Sequence, residues 1–271
     1  MCLFRNNNGT VGTVPAWYSA VPEITSAVAF GDLNGDGWED LAVSKWTNGF
    51  QSGVYQNNAG TLTGTPVWTT GFSDTDKGVA WGDMDGDGWE DLALGHDPTY
   101  LYHNAAGTLG LVWQSQATYF GQQDLKFFDI DRDGDPDLAE INFSNGVTNI
   151  YLNDNGALAA TPSWSYDSSA VGTALAFGDL NGDQWPDLIL GYSGQQCVVV
   201  FYAAPPPPTP GDLNCDGVID FDDINPFVLA LSDPVAYQAA YPNCNLLNGD
   251  CDFDGDVDFD DINAFVALLS Q

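Results

Sequence analysis

Apolar and polar positions in residues 1–203 recur with a period of about fifty residues. Each unit opens on a short apolar stretch that ends in an Asn/Gly turn. The four copies are Leu3-Phe4-Arg5-Asn6 before Gly9, Val54-Tyr55-Gln56-Asn57 before Gly60, Leu101-Tyr102-His103-Asn104 before Gly107, and Ile150-Tyr151-Leu152-Asn153 before Gly156. A segment centred on Trp17, Trp68, Trp113 or Trp164 follows, and an apolar strand then enters a loop dense in Asp and Gly. A second apolar strand leaves that loop, as Leu41-Ala42-Val43, Leu92-Ala93-Leu94, Leu138-Ala139-Glu140 or Leu188-Ile189-Leu190. Four short strands with regular turn signals predict one blade of a β-propeller, so the expected fold is mainly β, with about four blades.

A fifth copy of the opening strand, Val198-Val199-Val200-Phe201-Tyr202, follows the fourth loop. With a start that falls on a repeat boundary and no signal peptide, it predicts a chain truncated at its N-terminus, with further blades upstream. The four units either close into a small ring or leave strand edges exposed. Residues 204–210 are Pro-rich and predict a stiff linker. Beyond it, residues 211–271 predict a small helical domain. Ile224-Asn225-Pro226-Phe227-Val228-Leu229-Ala230-Leu231 and Ile262-Asn263-Ala264-Phe265-Val266-Ala267-Leu268-Leu269 carry apolar residues at helical spacing.

The loops carry the candidate chemistry. Six times the chain places carboxylates or carboxamides at alternate positions, mostly around a Gly that permits a sharp turn. That arrangement converges hard oxygens as Ca²⁺ requires. Asx turns without metal explain one such loop about as well, but four copies in register, each with four oxygens at the same offsets, favour cation sites. The two loops of the tail fit the twelve-residue EF-hand pattern. The first offers Asp212, Asn214, Asp216, Asp220 and Asp223, with Val218 at the carbonyl position; the second offers Asp250, Asp252, Asp254, Asp258 and Asp261, with Asp256 at the carbonyl position. Composition sharpens the expectation: 38 acidic residues against 5 basic ones leave a formal charge of −33. Such a chain disfavours its own compact state unless cations neutralise part of the charge. It also excludes nucleic acid as a partner, since Lys and Arg for phosphate are nearly absent. The 44% hydrophobic content and nine Trp argue for a packed core rather than an acidic disordered segment.

The strings Ala29-Phe30-Gly31-Asp32-Leu33-Asn34-Gly35-Asp36-Gly37 and Ala176-Phe177-Gly178-Asp179-Leu180-Asn181-Gly182-Asp183 resemble FG-GAP or VCBS-type repeats, the blades of integrin-alpha-like propellers. That resemblance implies calcium loops between the last two strands of each blade. The implied side-chain ligands are Asp32, Asn34, Asp36 and Asp40; Asp83, Asp85, Asp87 and Asp91; Asp129, Asp131, Asp133 and Asp137; and Asp179, Asn181, Asp183 and Asp187. Trp38, Trp89, Asp135 and Trp185 would offer carbonyls. Gln184 replaces the central Gly of the fourth loop, where a left-handed conformation costs about 1–2 kcal/mol. A loop and helix repeated twice in the tail is similar to a dockerin. That likeness implies a cohesin-like partner contacted through Asn225, Phe227, Val228, Asn263, Phe265 and Val266, with core packing the competing reading for the two Phe residues.

Catalysis has little support in the sequence. His96 and His103 are the only histidines, and they read as surface residues without a nucleophile beside them. Glu140-Ile141-Asn142 departs from the repeat, and the four repeated Trp residues read as packing between blades before sugar platforms. Five cysteines, Cys2, Cys197, Cys215, Cys244 and Cys251, form no CxxC pair, which leaves one disulfide in the tail as the expectation and its connectivity open. The favoured function is a secreted or cell-surface, non-catalytic, calcium-binding protein of adhesion or recognition, with no membrane span and a glycan or protein ligand. The alternatives are a carbohydrate-binding component or truncated enzyme of a polysaccharide-degrading system, and a structural spacer.

Overall fold

The computed structural model describes the whole chain except residues 22–23, 47–49, 73–75, 117–120, 184, 195–197, 205 and 271. Gln184 and Cys197 therefore lie outside the described residues. Two compact units result: residues 1–130, 135–178 and 188–201 form the first, and residues 131–134, 179–187 and 202–271 the second.

The chain opens with β1 (Cys2–Leu3), β2 (Asn6–Asn7), β3 (Thr10–Val11) and β4 (Trp17–Tyr18), in which β1 pairs with β4 and β2 with β3. Three four-stranded sheets follow, each in simple sequence order. The first comprises β5 (Thr25–Gly31), β6 (Asp40–Lys45), β7 (Gly53–Tyr55) and β8 (Trp68–Thr69). The second comprises β9 (Val79–Gly82), β10 (Asp91–Leu94), β11 (Tyr100–Asn104) and β12 (Leu109–Gln114), and the third β13 (Gln122–Phe128), β14 (Asp137–Asn142), β15 (Val147–Tyr151) and β16 (Trp164–Asp167). A fourth sheet holds β17 (Val171–Gly178), β18 (Asp187–Ser193) and β19 (Val198–Phe201). This is the four-blade propeller arrangement that the periodicity predicts.

The phase of the blade differs from the sequence reading. Each sheet begins with the strand that enters the Asp loop, so the loop joins its first two strands and not its last two. The fifth copy of the opening strand also finds its place, as β19, the third strand of the fourth blade.

Why the second strands read as continuous apolar runs is clear from their neighbours. Alternate side chains of a strand point to opposite faces, and here both faces are covered. Leu92 and Leu94 pack with Ala42 and Val54 of the first blade, whereas Ala93 packs with Leu125 and Leu138 of the third. The four Trp residues are the joints between consecutive sheets. Trp17, Trp68, Trp113 and Trp164 meet Tyr55, Tyr102, Tyr151 and Phe201 edge-to-face, with centroids 5.4, 4.9, 5.0 and 5.1 Å apart. Packing, rather than sugar stacking, occupies them.

Glu140 occupies the place of Val43 and Leu94 and is fully buried. It accepts hydrogen bonds from Thr99 Oγ1 (2.5 Å), Asn149 Nδ2 (2.9 Å) and Tyr151 Oη (3.0 Å). Burial raises its pKa above the ordinary value of 4.5, against the pull of those three donors. A raised native pKa stabilises the fold fully below the unfolded value, and that contribution disappears as the pH climbs through the native one. Thermal melts in chelator are therefore expected to shift in favour of the Glu140→Gln variant, relative to wild type, between pH 4.5 and pH 8. An unchanged difference would show that the charged form carries no cost.

In the tail, α1 (Ile224–Ser232) and α3 (Asp261–Leu268) match the two expected helices, and α2 (Pro234–Ala240) is an addition. Its start was encoded: Asp233 caps the Ala236 N–H and Pro234 occupies the first helical position. Leu213, Phe227, Ala230, Tyr237, Cys244, Cys251 and Phe265 form the core, and the rings of Phe227 and Phe265 stack 4.1 Å apart. Cys215 is joined to Cys244, while Cys251 is a buried free thiol whose pKa burial lifts to about 12.

Candidate metal centres

One internal scheme runs in full through the first two loops and recurs in part in the other four. In the first, the Asp32 and Asn34 side chains both accept the Asp36 N–H at 3.2 Å; Asp32 also accepts from Gly37 at 2.7 Å, and Asp36 accepts from Trp38 at 2.9 Å. The second loop repeats it with Asp83, Asp85, Asp87, Gly88 and Trp89, at 2.8 to 3.2 Å. Parts recur elsewhere: the Asp133 N–H bonds to Asp131, the Asp183 N–H to Asn181, and the Trp185 N–H to Asp183. In the tail, the Asp216 N–H bonds to Asn214 and the Gly217 N–H to Asp212, as the Asp254 N–H bonds to Asp252 and the Gly255 N–H to Asp250.

That wrap needs left-handed backbone at two positions, not one. Position 6 is the expected Gly (Gly37, Gly88, Gly134, Gly217, Gly255), but position 4 is equally left-handed: Gly35, Gly86 and Gly182 there are joined by Arg132 (φ 65°), Cys215 (φ 58°) and Phe253 (φ 64°). The non-Gly residues at position 4 hide this requirement from a sequence reading. Arg132 also lies 5.3 Å from the Trp185 ring centroid, a cation–π contact.

The last Asp of each propeller loop has a second task. Asp40, Asp91, Asp137 and Asp187 are fully buried. One oxygen of each accepts the N–H of loop position 2 (Leu33, Met84, Ile130, Leu180) at 2.8 to 3.1 Å. The other accepts from Asn57, Asn104, Asn153 or Ala203, at the end of the third strand, at 2.6 to 2.9 Å. The carboxylate thus latches the loop to its own sheet while retaining lone pairs for an ion. In the tail, buried Asp223 accepts from Leu213, Asn214 and Asp220, and Asp261 from Cys251, Asp252 and Asp258. A short Asp arm meets these backbone donors at the twelfth position.

The donor sets suit a hard cation. Ligand atoms of Asp83, Asp85 and Asp91, and of Asp250, Asp252 and Asp254, lie within 4.8 Å of one another in each set. Burial raises the pKa of Asp40 and Asp91, opposed by their backbone donors, with neighbouring Asp32 and Asp36, or Asp85, adding to the rise. Asp212 is raised by burial as well, and its Oδ1 is buried without a hydrogen-bond partner. Crowded carboxylates with an orphaned oxygen fit a bound dication, which would reverse that electrostatic burden.

At the ends of the second strands lies a buried polar network that the sequence did not reveal. Ser52 Oγ donates to Asp76 Oδ2, and His96 Nδ1 lies 2.7 Å from Asp76 Oδ1. His96 is thus buried, not a surface residue, and stacks on Tyr100 at 4.9 Å. In a nucleophilic relay the imidazole would take the hydroxyl proton. Here the Ser52 hydroxyl donates its hydrogen bond to the Asp76 carboxylate and not to the imidazole, an arrangement that ties the loop segments together.

The tail residues proposed for a partner divide. Phe227 and Phe265 belong to the core, at 3% exposure each, and are withdrawn from any docking surface; Asn225, Val228, Asn263 and Val266 are exposed.

With blades, loops and latches in place, the class is a mainly β chain in a four-blade propeller arrangement, parts of which match known repeats. Residues 25–62 match the FG-GAP repeat, and residues 129–190 the FG-GAP-like repeat. Over 141 residues the chain is 30% identical to integrin alpha-6 of Homo sapiens, covering 45% of this chain and 12% of that protein. To integrin alpha-6 of Gallus gallus it is 28% identical over 144 residues, covering 45% and 13%. The chain thus spans about an eighth of the length of these curated relatives. Among solved structures, an Agrocybe aegerita lectin that recognises non-reducing terminal N-acetylglucosamine aligns with 64% of this chain and 47% of its own, at 19% identity and a TM-score of 0.41.

Proposed function

We propose that this chain is a secreted or cell-surface, non-catalytic recognition protein. Its propeller is ordered by Ca²⁺, and its dockerin-like tail attaches it to a cohesin-like partner. One observation carries the reading: among the described residues, five loops take the same pair of left-handed turns around converging oxygens, and the fourth propeller loop repeats the first of them, in a chain of formal charge −33. In each propeller loop the side chains at positions 1, 3, 5 and 9 would hold the ion, with the carbonyl of Trp38, Trp89, Asp135 or Trp185. The tail loops would use Asp212, Asn214, Asp216, Val218, Asp220 and Asp223, and Asp250, Asp252, Asp254, Asp256, Asp258 and Asp261. The bound cation supplies charge neutralisation and fixes the loops; recognition falls to the surfaces they hold. The Cys215–Cys244 disulfide and the integrin relatives support an extracellular setting. No described helix is long and apolar enough to cross a membrane. On the tail, Asn225, Val228, Asn263 and Val266 remain as the exposed contact set.

Calorimetric titration of chelator-treated chain with Ca²⁺ tests this, with an uptake near six ions expected. No uptake at millimolar Ca²⁺ would sink the reading and leave the loops as turns. A second reading, a carbohydrate-binding component, has support from a cavity of about 480 Å³ lined by the exposed rings of Phe30 and Trp38 together with Arg5, Glu39 and Asn57. Binding on a glycan array that Trp38→Ala removes would favour it.

A further inference from the structure

The second propeller loop differs from the others in one neighbour. His103, at the end of β11, stands where the other repeats carry Arg5, Gln56, Leu152 and Tyr202. Its partner across the ladder is Gly110, so no opposing side chain competes for the space. The imidazole Nε2 lies 2.9 Å from Asp85 Oδ2 and 3.5 Å from Asp87 Oδ2. On the far side, Gly156 of the third blade lies so close to Asp85 that a Cβ there would fall 2.7 Å from the Asp85 Cβ. Asp85 is thus flanked by His103 and Gly156 while its remaining side stays open to solvent.

An ordinary His–Asp pair would align the N–H with a carboxylate oxygen. Here Nε2 is a buried atom with no partner in hydrogen-bond geometry, although two carboxylate oxygens lie near it. Off-axis oxygens at such separations are what ligands of one ion show. With metal–ligand distances of about 2.1 Å, ligand atoms lie roughly 3.0 Å apart on an octahedral edge and roughly 3.4 Å apart on a tetrahedral one. The atoms of Asp85, Asp87 and His103 lie within 4.8 Å of one another.

We propose that Asp85, Asp87 and His103 form a site for a first-row transition ion of the Zn²⁺ type. Ca²⁺ takes oxygen ligands, whereas imidazole nitrogen suits Zn²⁺ and its neighbours. Three protein ligands leave coordination positions for water. The site shares Asp85 and Asp87 with the calcium reading, so Zn²⁺ and Ca²⁺ compete at this loop, but it rests on the histidine that the calcium reading does not use.

The test uses the full chain in a Cys2→Ser background, because Cys2 is an exposed thiol. Zn²⁺ is titrated by calorimetry, and Co²⁺ by its visible absorption, into chelator-treated protein. One tight Zn²⁺ is expected, with a Co²⁺ spectrum of nitrogen and oxygen ligation. His103→Gln, which installs the residue that Gln56 supplies after β7 of the first four-stranded sheet, is expected to weaken Zn²⁺ by no less than the roughly 10–100-fold that even an outer-sphere partner commands. Its Ca²⁺ uptake should match that of the parent. Zn²⁺ affinity unchanged in His103→Gln, or no Zn²⁺ uptake by the parent, would overturn the assignment. Zn²⁺ uptake without any Ca²⁺ uptake would instead uphold this site and remove the calcium reading.

Discussion

Replacing Asp91 with alanine is expected to destabilise the propeller by about 3 kcal/mol even when no metal is present. The side chain is fully buried and accepts the Met84 and Asn104 N–H groups through separate oxygens. Removing it strands both donors away from water, each at about 1–3 kcal/mol. Part of that loss is recovered, since burial raises the Asp91 pKa and its charged form is already disfavoured there. Asp91→Asn keeps one acceptor oxygen and should lose roughly half as much. Asp87 supplies the contrast, because it is exposed, accepts the Trp89 N–H within its own loop and has His103 Nε2 3.5 Å away at the surface. Denaturant unfolding in chelator should therefore separate the variants, with Asp87→Ala close to wild type. Equal losses for Asp87→Ala and Asp91→Ala would mean that the latch does not carry the stability assigned to it.

The same latch shows why the loops were legible in the sequence and the blade was not fully so. A repeat read along a chain has no origin: the period of Trp17, Trp68, Trp113 and Trp164 is plain, but only hydrogen bonding decides which strand begins a sheet. The order β5-β6-β7-β8 moved the Asp loop from the end of the blade to its start. Loop oxygens were visible because ligation demands particular residue types. The left-handed turn at position 4 was not, because Arg132, Cys215 and Phe253 adopt it against their preference. Buried polar groups were the least legible. His96 and Asp76 sit among loop residues with no periodic mark, and only three-dimensional proximity joins them. Glu140 departs visibly from the repeat, and its reason lies in Thr99 of the neighbouring blade. In the tail, periodicity located α1 and α3 but could not separate the buried ring of Phe227 from the exposed Val228 beside it.

Chelation is expected to produce the largest change of all, a fall in melting temperature of many degrees that added Ca²⁺ reverses. Each loop gathers three or more carboxylates or carboxamides whose mutual repulsion the folded chain has to bear, and burial adds to the cost at Asp40, Asp91 and Asp212. A ligand that binds only the native state stabilises it by about 2.7 kcal/mol per site at a hundred times its dissociation constant. Even two sites filled to that degree would contribute roughly 5 kcal/mol, comparable to the whole stability of many domains. Because six loops of one design are involved, the rise should continue over a wide range of Ca²⁺ concentration rather than saturate at one equivalent. Salt offers the control. If general charge screening were responsible, NaCl would raise the melting temperature as much as millimolar Ca²⁺ does. Site binding instead predicts that 150 mM NaCl recovers only a small part of the loss, and a full recovery by NaCl alone would identify the −33 charge, not the loops, as the origin of the instability.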